Sequence, residues 1–146
     1  MSQYPIEKTV PKALVVQCSD ARFQDVFKQF VIDDLGLPNF YQLAIGGGVH
    51  ALGAKDTMPD SYTALYGQIK FFIEEVPLKL VVLINHQDCK WYQGHADLSD
   101  LDSDTQAMDD LKTGKTILSA DFPDVEIRTF WAGLDGDSVT FSEVFE

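Results

Sequence analysis

The sequence ALVVQCSDAR, at residues 13–22, joins a short apolar run to a group of polar residues. The stretch LVVLINHQDC, at residues 80–89, repeats this order after a longer apolar run. Continuous apolar runs rich in β-branched residues are typical of central strands in a parallel sheet, because helices cover both faces of such a sheet. We therefore predict that each polar group lies at the carboxyl end of a buried strand, where open α/β sheets bind ligands.

Further strands complete the predicted sheet. Residues 40–45 and 125–131 are predicted strands, and a turn at residues 134–137 precedes a terminal edge strand. The apolar residues that alternate along this edge strand are Val139, Phe141 and Val144. The alternation of strands and helices implies right-handed crossovers. The predicted fold is therefore α/β, with a mainly parallel central sheet of about four strands plus an edge strand, flanked by helices.

Two amphipathic helices are predicted between these strands. From Phe23 to Val31, apolar side chains recur at the i, i+3, i+4, i+7 and i+8 spacing of one helix face. A longer apolar stripe follows Pro59, a residue favoured in the first turn of a helix, and it continues until Pro77. An acidic segment at residues 97–110 then leads to the fourth strand.

Length and charge limit the classes of function. The chain has 146 residues, of which 45% are hydrophobic, and this fits a single domain over residues 1–146. Its net charge of -12 would repel nucleic acid and anionic membranes. No apolar stretch approaches the roughly 20 residues of a membrane span, and residues 1–12 lack the apolar core of a signal peptide. The expected location is the cytoplasm.

The two motifs together predict a metal site. Cys18, His86 and Cys89 would supply two thiolates and one imidazole, a donor set that favours zinc over magnesium or calcium. In a reducing compartment, a cysteine pair near a histidine is more often a metal or redox feature than a disulfide. Three protein ligands leave a fourth position for water or substrate, and this indicates catalysis.

Asp20 and Arg22 extend the first motif. The Asp20 carboxylate could accept a hydrogen bond from metal-bound water, or it could occupy the fourth coordination position itself. Arg22 would hold that carboxylate through a charge-assisted pair. Structural alternatives also exist, since Cys18 alone could be a small buried apolar residue and Asp20 could cap the helix that follows.

These residues resemble the β-class carbonic anhydrases, whose pattern is Cys-x-Asp-x-Arg after the first strand and His-x-x-Cys after a later strand. The resemblance covers most of the chain. It implies that Cys18, His86 and Cys89 bind zinc and that Asp20 and Arg22 form an orienting pair. The implied reaction is reversible hydration of carbon dioxide to bicarbonate by zinc-bound hydroxide. Because sites in this family lie at a dimer interface, a homodimer or a higher homo-oligomer is also implied.

The sequence departs from the family pattern around the site. The departures are Thr9, Leu43, Ala44, Asn85 and Lys90. Family members commonly carry glycine at the last two of these positions, and Lys90 would adopt a positive φ only at a cost. These changes leave two other functions open. One is hydrolysis of a related heterocumulene, carbonyl sulfide or carbon disulfide, and the other is a non-catalytic zinc-stabilised binding domain in which Asp20 completes the coordination.

Two further histidines, His50 and His95, could carry protons between the site and solvent, because free histidine titrates near neutral pH. The more common role of such residues is that of an ordinary loop histidine.

Overall fold

A five-stranded sheet forms the centre of the fold, in the order β2-β1-β3-β4-β5. The computed structural model describes residues 1–95 and 100–146. The strands are β1 (Ala13–Cys18), β2 (Tyr41–Ile45), β3 (Leu80–His86), β4 (Glu126–Asp135) and β5 (Ser138–Val144). The first four pair in parallel, and β5 pairs antiparallel to β4 at one edge. The prediction of a mainly parallel sheet with an edge strand is confirmed.

The central strands β1 and β3 are buried on both faces. All six residues of β1 and the last six of β3 are buried. Leu14 and Leu83 face a cluster that includes side chains of α2 (Pro59–Glu74), whereas Val15 and Ile84 pack beside Phe27 on the opposite face. Both strands therefore need apolar side chains at successive positions, which explains their continuous apolar sequences.

Both predicted helices are present. The first is α1 (Gln24–Gln29), which continues into a π-helical turn, Phe30–Asp34. The second is α2, which begins at Pro59 as the sequence predicts and buries Leu65, Ile69 and Ile73. The four-residue and three-residue spacing of these side chains places them along one face of the helix.

The sequence does not predict the two helices that follow β3. These are α3 (Lys90–His95) and α4 (Asp100–Asp121), and α4 includes most of the acidic segment. Residues 97–99 of that segment lie outside the described residues. The buried residues of α4 include Ser103, Ala107, Asp110, Leu111 and Leu118. Because three of these five are small or polar, the buried face of α4 does not form an apolar stripe.

The segment before β1 is exposed over residues 1–10 and contains no helix or strand. The side-chain amide of Asn39 donates a hydrogen bond to the Thr9 carbonyl at 2.7 Å. Across the ranges that the structure describes, no helix is both long enough and apolar enough to cross a membrane.

Candidate metal centre

The ends of two adjacent strands bring the three predicted metal ligands together. Cys18 ends β1 and His86 ends β3, and these strands are parallel neighbours, so both side chains lie at the same edge of the sheet. Cys89 follows in the turn before α3. The ligand atoms of all three buried residues lie within 4.8 Å of one another, and the two Sγ atoms are 3.8 Å apart. The structure therefore groups the predicted donor set.

The imidazole of His86 is oriented for metal binding. Its Nδ1–H donates to the Gln87 carbonyl at 2.7 Å, because a carbonyl can only accept. This leaves Nε2 as the atom with a free lone pair. Nε2 is buried and has no hydrogen-bond partner among the described residues. A buried polar atom without a partner is costly, and coordination to a metal ion would satisfy it. The donor set and this atom both fit zinc.

The two thiols do not ionise equally. The Cys18 and Cys89 sulfur atoms are within hydrogen-bond distance of each other, and this contact lowers the pKa of Cys18 well below the usual value for cysteine, with a smaller contribution from His86. The same contact and burial raise the pKa of Cys89. Cys18 is therefore the thiol that ionises more readily, and a thiol has to lose its proton before it can bind a metal.

Asp20 and Arg22 form a bidentate ion pair beside this cluster. Arg22 Nε donates to Asp20 Oδ1 at 3.1 Å, and Nη2 donates to Oδ2 at 2.8 Å. These hydrogen bonds hold the pKa of Asp20 below its usual value. Asp20 Oδ2 lies 4.0 Å from His86 Nε2, too far for a hydrogen bond. The carboxylate thus borders the cluster while both of its oxygen atoms engage Arg22.

An open cavity of about 550 Å³ leads to the cluster, and Trp91 forms one wall of it. Its other lining residues are Cys18, Ser19, Asp20, Arg22, Gly46, Lys90 and Gly94. The indole ring lies against Gly46 and Gly47, where an added Cβ would overlap it. A second cavity of about 310 Å³, largely apolar, shares Gly46 and Trp91 with the first. We call the first cavity the metal pocket, because it leads to the candidate metal ligands. Trp91 therefore stands between the metal pocket and this apolar cavity.

The structure corrects the expectation for Lys90. Lys90 begins α3, and the positive φ of this loop occurs at Asp88, where φ is 59°. The expected backbone cost at Lys90 is therefore wrong. Asp88 also pairs with Arg22 at 3.0 Å, and hydrogen bonds from Gln93 and Arg22 lower its pKa to about 2. Sequence reasoning missed this residue, although its charge and its place between His86 and Cys89 were visible.

Asn85 has a structural role at a position where the sequence resemblance led us to expect glycine. Its Oδ1 accepts a hydrogen bond from the Val49 backbone N–H at 3.1 Å, and its Nδ2 donates to the Ala107 carbonyl at 2.8 Å. The side chain therefore links the end of β3 to the glycine turn and to α4. Of the other departures, Leu43 lines the apolar cavity, whereas Ala44 is exposed on β2 and Thr9 is exposed before β1.

His50 is held by a buried carboxylate. Its Nδ1 lies 2.8 Å from Asp110 Oδ2, which also accepts the Tyr92 hydroxyl at 2.6 Å. His50 lines the apolar cavity but is absent from the lining of the metal pocket. The side chain of His95 lies outside the described residues.

Neither a protein-family model nor a curated protein sequence matches the chain. Solved structures do match. One of two tetrameric β-carbonic anhydrases from Sordaria macrospora superposes with a TM-score of 0.64 at 13% identity, over 95% of this chain and 83% of its own. The chain has the β-carbonic anhydrase fold.

Other β-carbonic anhydrase structures also superpose on this chain. CafA of Aspergillus fumigatus has a TM-score of 0.59 at 14% identity, over 94% of this chain and 77% of its own. Isoform I from Trichomonas vaginalis has a TM-score of 0.58 at 14% identity, over 95% of this chain and 87% of its own. The resemblance seen in the sequence is therefore confirmed as likeness to the β-carbonic anhydrases at the level of the fold. The Cys18, His86 and Cys89 group within this fold is compatible with zinc.

Proposed function

We propose that the protein is a zinc-dependent carbonic anhydrase that catalyses reversible hydration of carbon dioxide to bicarbonate. The observation that carries this proposal is the convergence of Cys18, His86 and Cys89, with an unpartnered His86 Nε2, at the strand ends of a β-carbonic anhydrase fold. Zinc held by these three residues would supply the Lewis acid that makes a nucleophile from water near neutral pH.

The surrounding residues orient the reactants. Asp20 Oδ2, at 4.0 Å from His86 Nε2, is close enough to the ligand atoms to accept a hydrogen bond from the attacking water. Arg22 fixes that carboxylate, because two N–H groups engage its two oxygens. The Trp91 ring forms one side of the pocket. In this proposal Asp20 is the catalytic hydrogen-bond acceptor and Arg22 is its positioning partner.

Hydrolysis of carbonyl sulfide or carbon disulfide is the second candidate. It would use the same residues on a larger and more polarisable substrate. The apolar cavity beyond Trp91, with Leu43 and Ile45 in its lining, favours this alternative because it provides apolar surface next to the metal pocket. A third candidate is a non-catalytic zinc-stabilised domain in which Asp20 leaves Arg22 and becomes the fourth ligand.

We also propose that residues 1–146 form one domain that works as a homodimer or larger homo-oligomer in the cytoplasm. The tetrameric state of the structural neighbour from Sordaria macrospora supports assembly. The net charge of -12 argues against nucleic acid and anionic membranes as partners.

The test is stopped-flow hydration of carbon dioxide by zinc-loaded protein between pH ~7 and ~9, where zinc-activated water is expected to ionise. We expect a rate above that of the buffer, and we expect His86→Gln to lose both this rate and stoichiometric zinc. His50→Gln is the matched control, because His50 lies outside the metal pocket, and it should retain zinc.

Two results would contradict the proposal in different ways. Stoichiometric zinc in His86→Gln would exclude this residue as a ligand. Bound zinc without hydration at any pH would exclude carbonic anhydrase activity, and assays of the same protein with carbonyl sulfide and carbon disulfide would then separate the two remaining candidates.

A further inference from the structure

Arg22 contacts a second acidic residue besides Asp20. Its Nη1 donates to Asp88 Oδ2 at 3.0 Å, and its Nη2 donates to the Asp88 backbone carbonyl at 2.9 Å. Two further N–H groups of Arg22, one on Nε and one on Nη2, donate to the two carboxylate oxygens of Asp20. One guanidinium therefore joins the loop after β1 to the loop after β3.

These contacts matter because Arg22 is near the surface. Its side chain is 48% exposed. An exposed ion pair gains little on its own, since a long side chain loses rotamer freedom when it adopts one geometry. The two contacts to Asp88 already fix the orientation of the guanidinium. Arg22 can then engage Asp20 without a large further loss of freedom.

Asp88 is itself held from two sides. The Gln93 side-chain amide donates to Asp88 Oδ1 at 2.8 Å, and the Asp88 backbone N–H donates to Asp104 Oδ1 at 3.0 Å. At a φ of 59°, its backbone carbonyl and its carboxylate both accept hydrogen bonds from Arg22. Asp88 therefore offers a fixed support rather than a mobile surface charge.

We propose that Asp88 is a positioning residue that holds Arg22 against Asp20 and thereby keeps the Asp20 carboxylate off the metal. This inference rests on the proposed function, because it requires a metal at Cys18, His86 and Cys89. Without Asp88, the hold on Asp20 weakens. The carboxylate then turns toward the metal, where it competes with other ligands for the fourth position.

The positive φ of Asp88 determines which substitutions are informative. Asp88→Gly removes the carboxylate and accepts this φ without strain. Asp88→Asn keeps an acceptor oxygen for Arg22, and asparagine is also tolerated at positive φ. Asp137→Asn removes one acidic charge from the exposed turn between β4 and β5 and is the control for charge alone.

The probe is azide, and its binding to the cobalt-substituted protein is measured from the change in the visible absorption of Co²⁺. We expect Asp88→Gly to weaken azide binding about tenfold, the factor that corresponds to one hydrogen bond to a charged group. We expect Asp88→Asn to bind azide nearly as well as wild type, and Asp137→Asn to be unchanged. In an Asp20→Asn background, Asp88→Gly should have no effect, because the competing carboxylate is gone.

Three outcomes would overturn the role of Asp88. They are unchanged azide affinity in Asp88→Gly, an equal loss in the Asp20→Asn background, and a wild-type protein that binds Co²⁺ but no azide. The second outcome would mean that Asp88 only supports the loop. If Asp88→Gly does not fold, Asp88→Ala provides the same truncation with some backbone strain.

The failure of the proposed function would look different. If wild-type protein binds no Co²⁺ or Zn²⁺, the metal centre itself is wrong, and the role of Asp88 fails with it. If azide binding behaves as expected but carbon dioxide is not hydrated, Asp88 keeps its role and only the activity is wrong.

Discussion

At the scale of single residues, Asp20 is where metal binding and turnover should separate. Asp20→Asn should retain stoichiometric zinc, because Cys18, His86 and Cys89 are unchanged. It should lower carbon dioxide hydration by about 10- to 100-fold, since it removes the negative charge and one of the two acceptor oxygens of a side chain that works in the reaction. Metal analysis and stopped-flow kinetics measure the two effects. Asp25→Asn, an exposed change on α1, is the control. Full activity in Asp20→Asn would exclude the proposed role.

The convergence of these residues could be predicted from the sequence for a simple reason. Cys18 and His86 end buried strands, and the apolar runs that mark those strands also place the two ends together. Asp88 could not be assigned in the same way. Its contact with Arg22 joins positions 66 residues apart and depends on a positive φ that no sequence pattern announces.

At the scale of secondary structure, the same substitution should have opposite effects at two glycines. Gly67→Ala, in the middle of α2, should raise the free energy of unfolding by about 0.5–1 kcal/mol, because its Cβ would meet nothing within 4 Å. Gly48→Ala should lower it by about 1 kcal/mol or more, because φ there is +57° and the Cβ would lie 2.5 Å from Asn85 Oδ1. Chemical denaturation measures both. A gain at Gly48 would contradict the geometry of the turn.

The stability that the ion pair between β4 and β5 contributes should depend on pH. Arg128 Nε and Nη2 donate to the two Glu143 carboxylate oxygens at 2.8 and 2.9 Å, and these hydrogen bonds lower the pKa of Glu143. A lowered folded-state pKa contributes stability above the ordinary glutamate pKa, near 4.3, and this contribution is lost as the pH falls through the folded value. Glu143→Gln should therefore be less stable than wild type by up to about 1 kcal/mol at pH 7.

The difference between the two proteins should vanish in acid. The free energy of unfolding of both proteins, measured at a series of pH values from neutral to acidic, gives this difference. Groups that titrate in both proteins affect both free energies equally and therefore do not contribute to the difference. A difference that stays constant across the series would show that the ion pair is not its source.

The elements differ in how far the sequence predicts them. The central strands β1 and β3 and the helix α2 were predictable because one property, apolar burial, dominates their sequences. In α4 the buried face carries Ser103 and Asp110, and Gly114 lies close to Leu52 and Leu83. Tertiary contacts, including the hydrogen bonds that Asp110 accepts from His50 and Tyr92, make these polar and small residues suitable. Such contacts are set by the whole fold and leave no periodic apolar signal.

At the scale of the whole molecule, the protein should be larger in solution than its 16.3 kDa chain. Tyr4, Ile6 and Val10 are exposed by 84%, 77% and 76%, and a second chain would give these apolar side chains a surface to cover. Sedimentation velocity at micromolar concentration should therefore give a multiple of the chain mass. A single species at the chain mass would exclude the proposed homo-oligomer under those conditions.

The position of the aromatic residues has a practical consequence for such experiments. The sequence contains two tryptophans, and both Trp91 and Trp131 pack against the buried group of Cys18, Cys89, Tyr92 and Ala107. Intrinsic fluorescence excited at the indole bands therefore arises beside this one corner of the molecule. Emission can report local events there without a label, and a quenching ion such as Co²⁺ would be detected by the chain's own fluorophores as it enters the cavity.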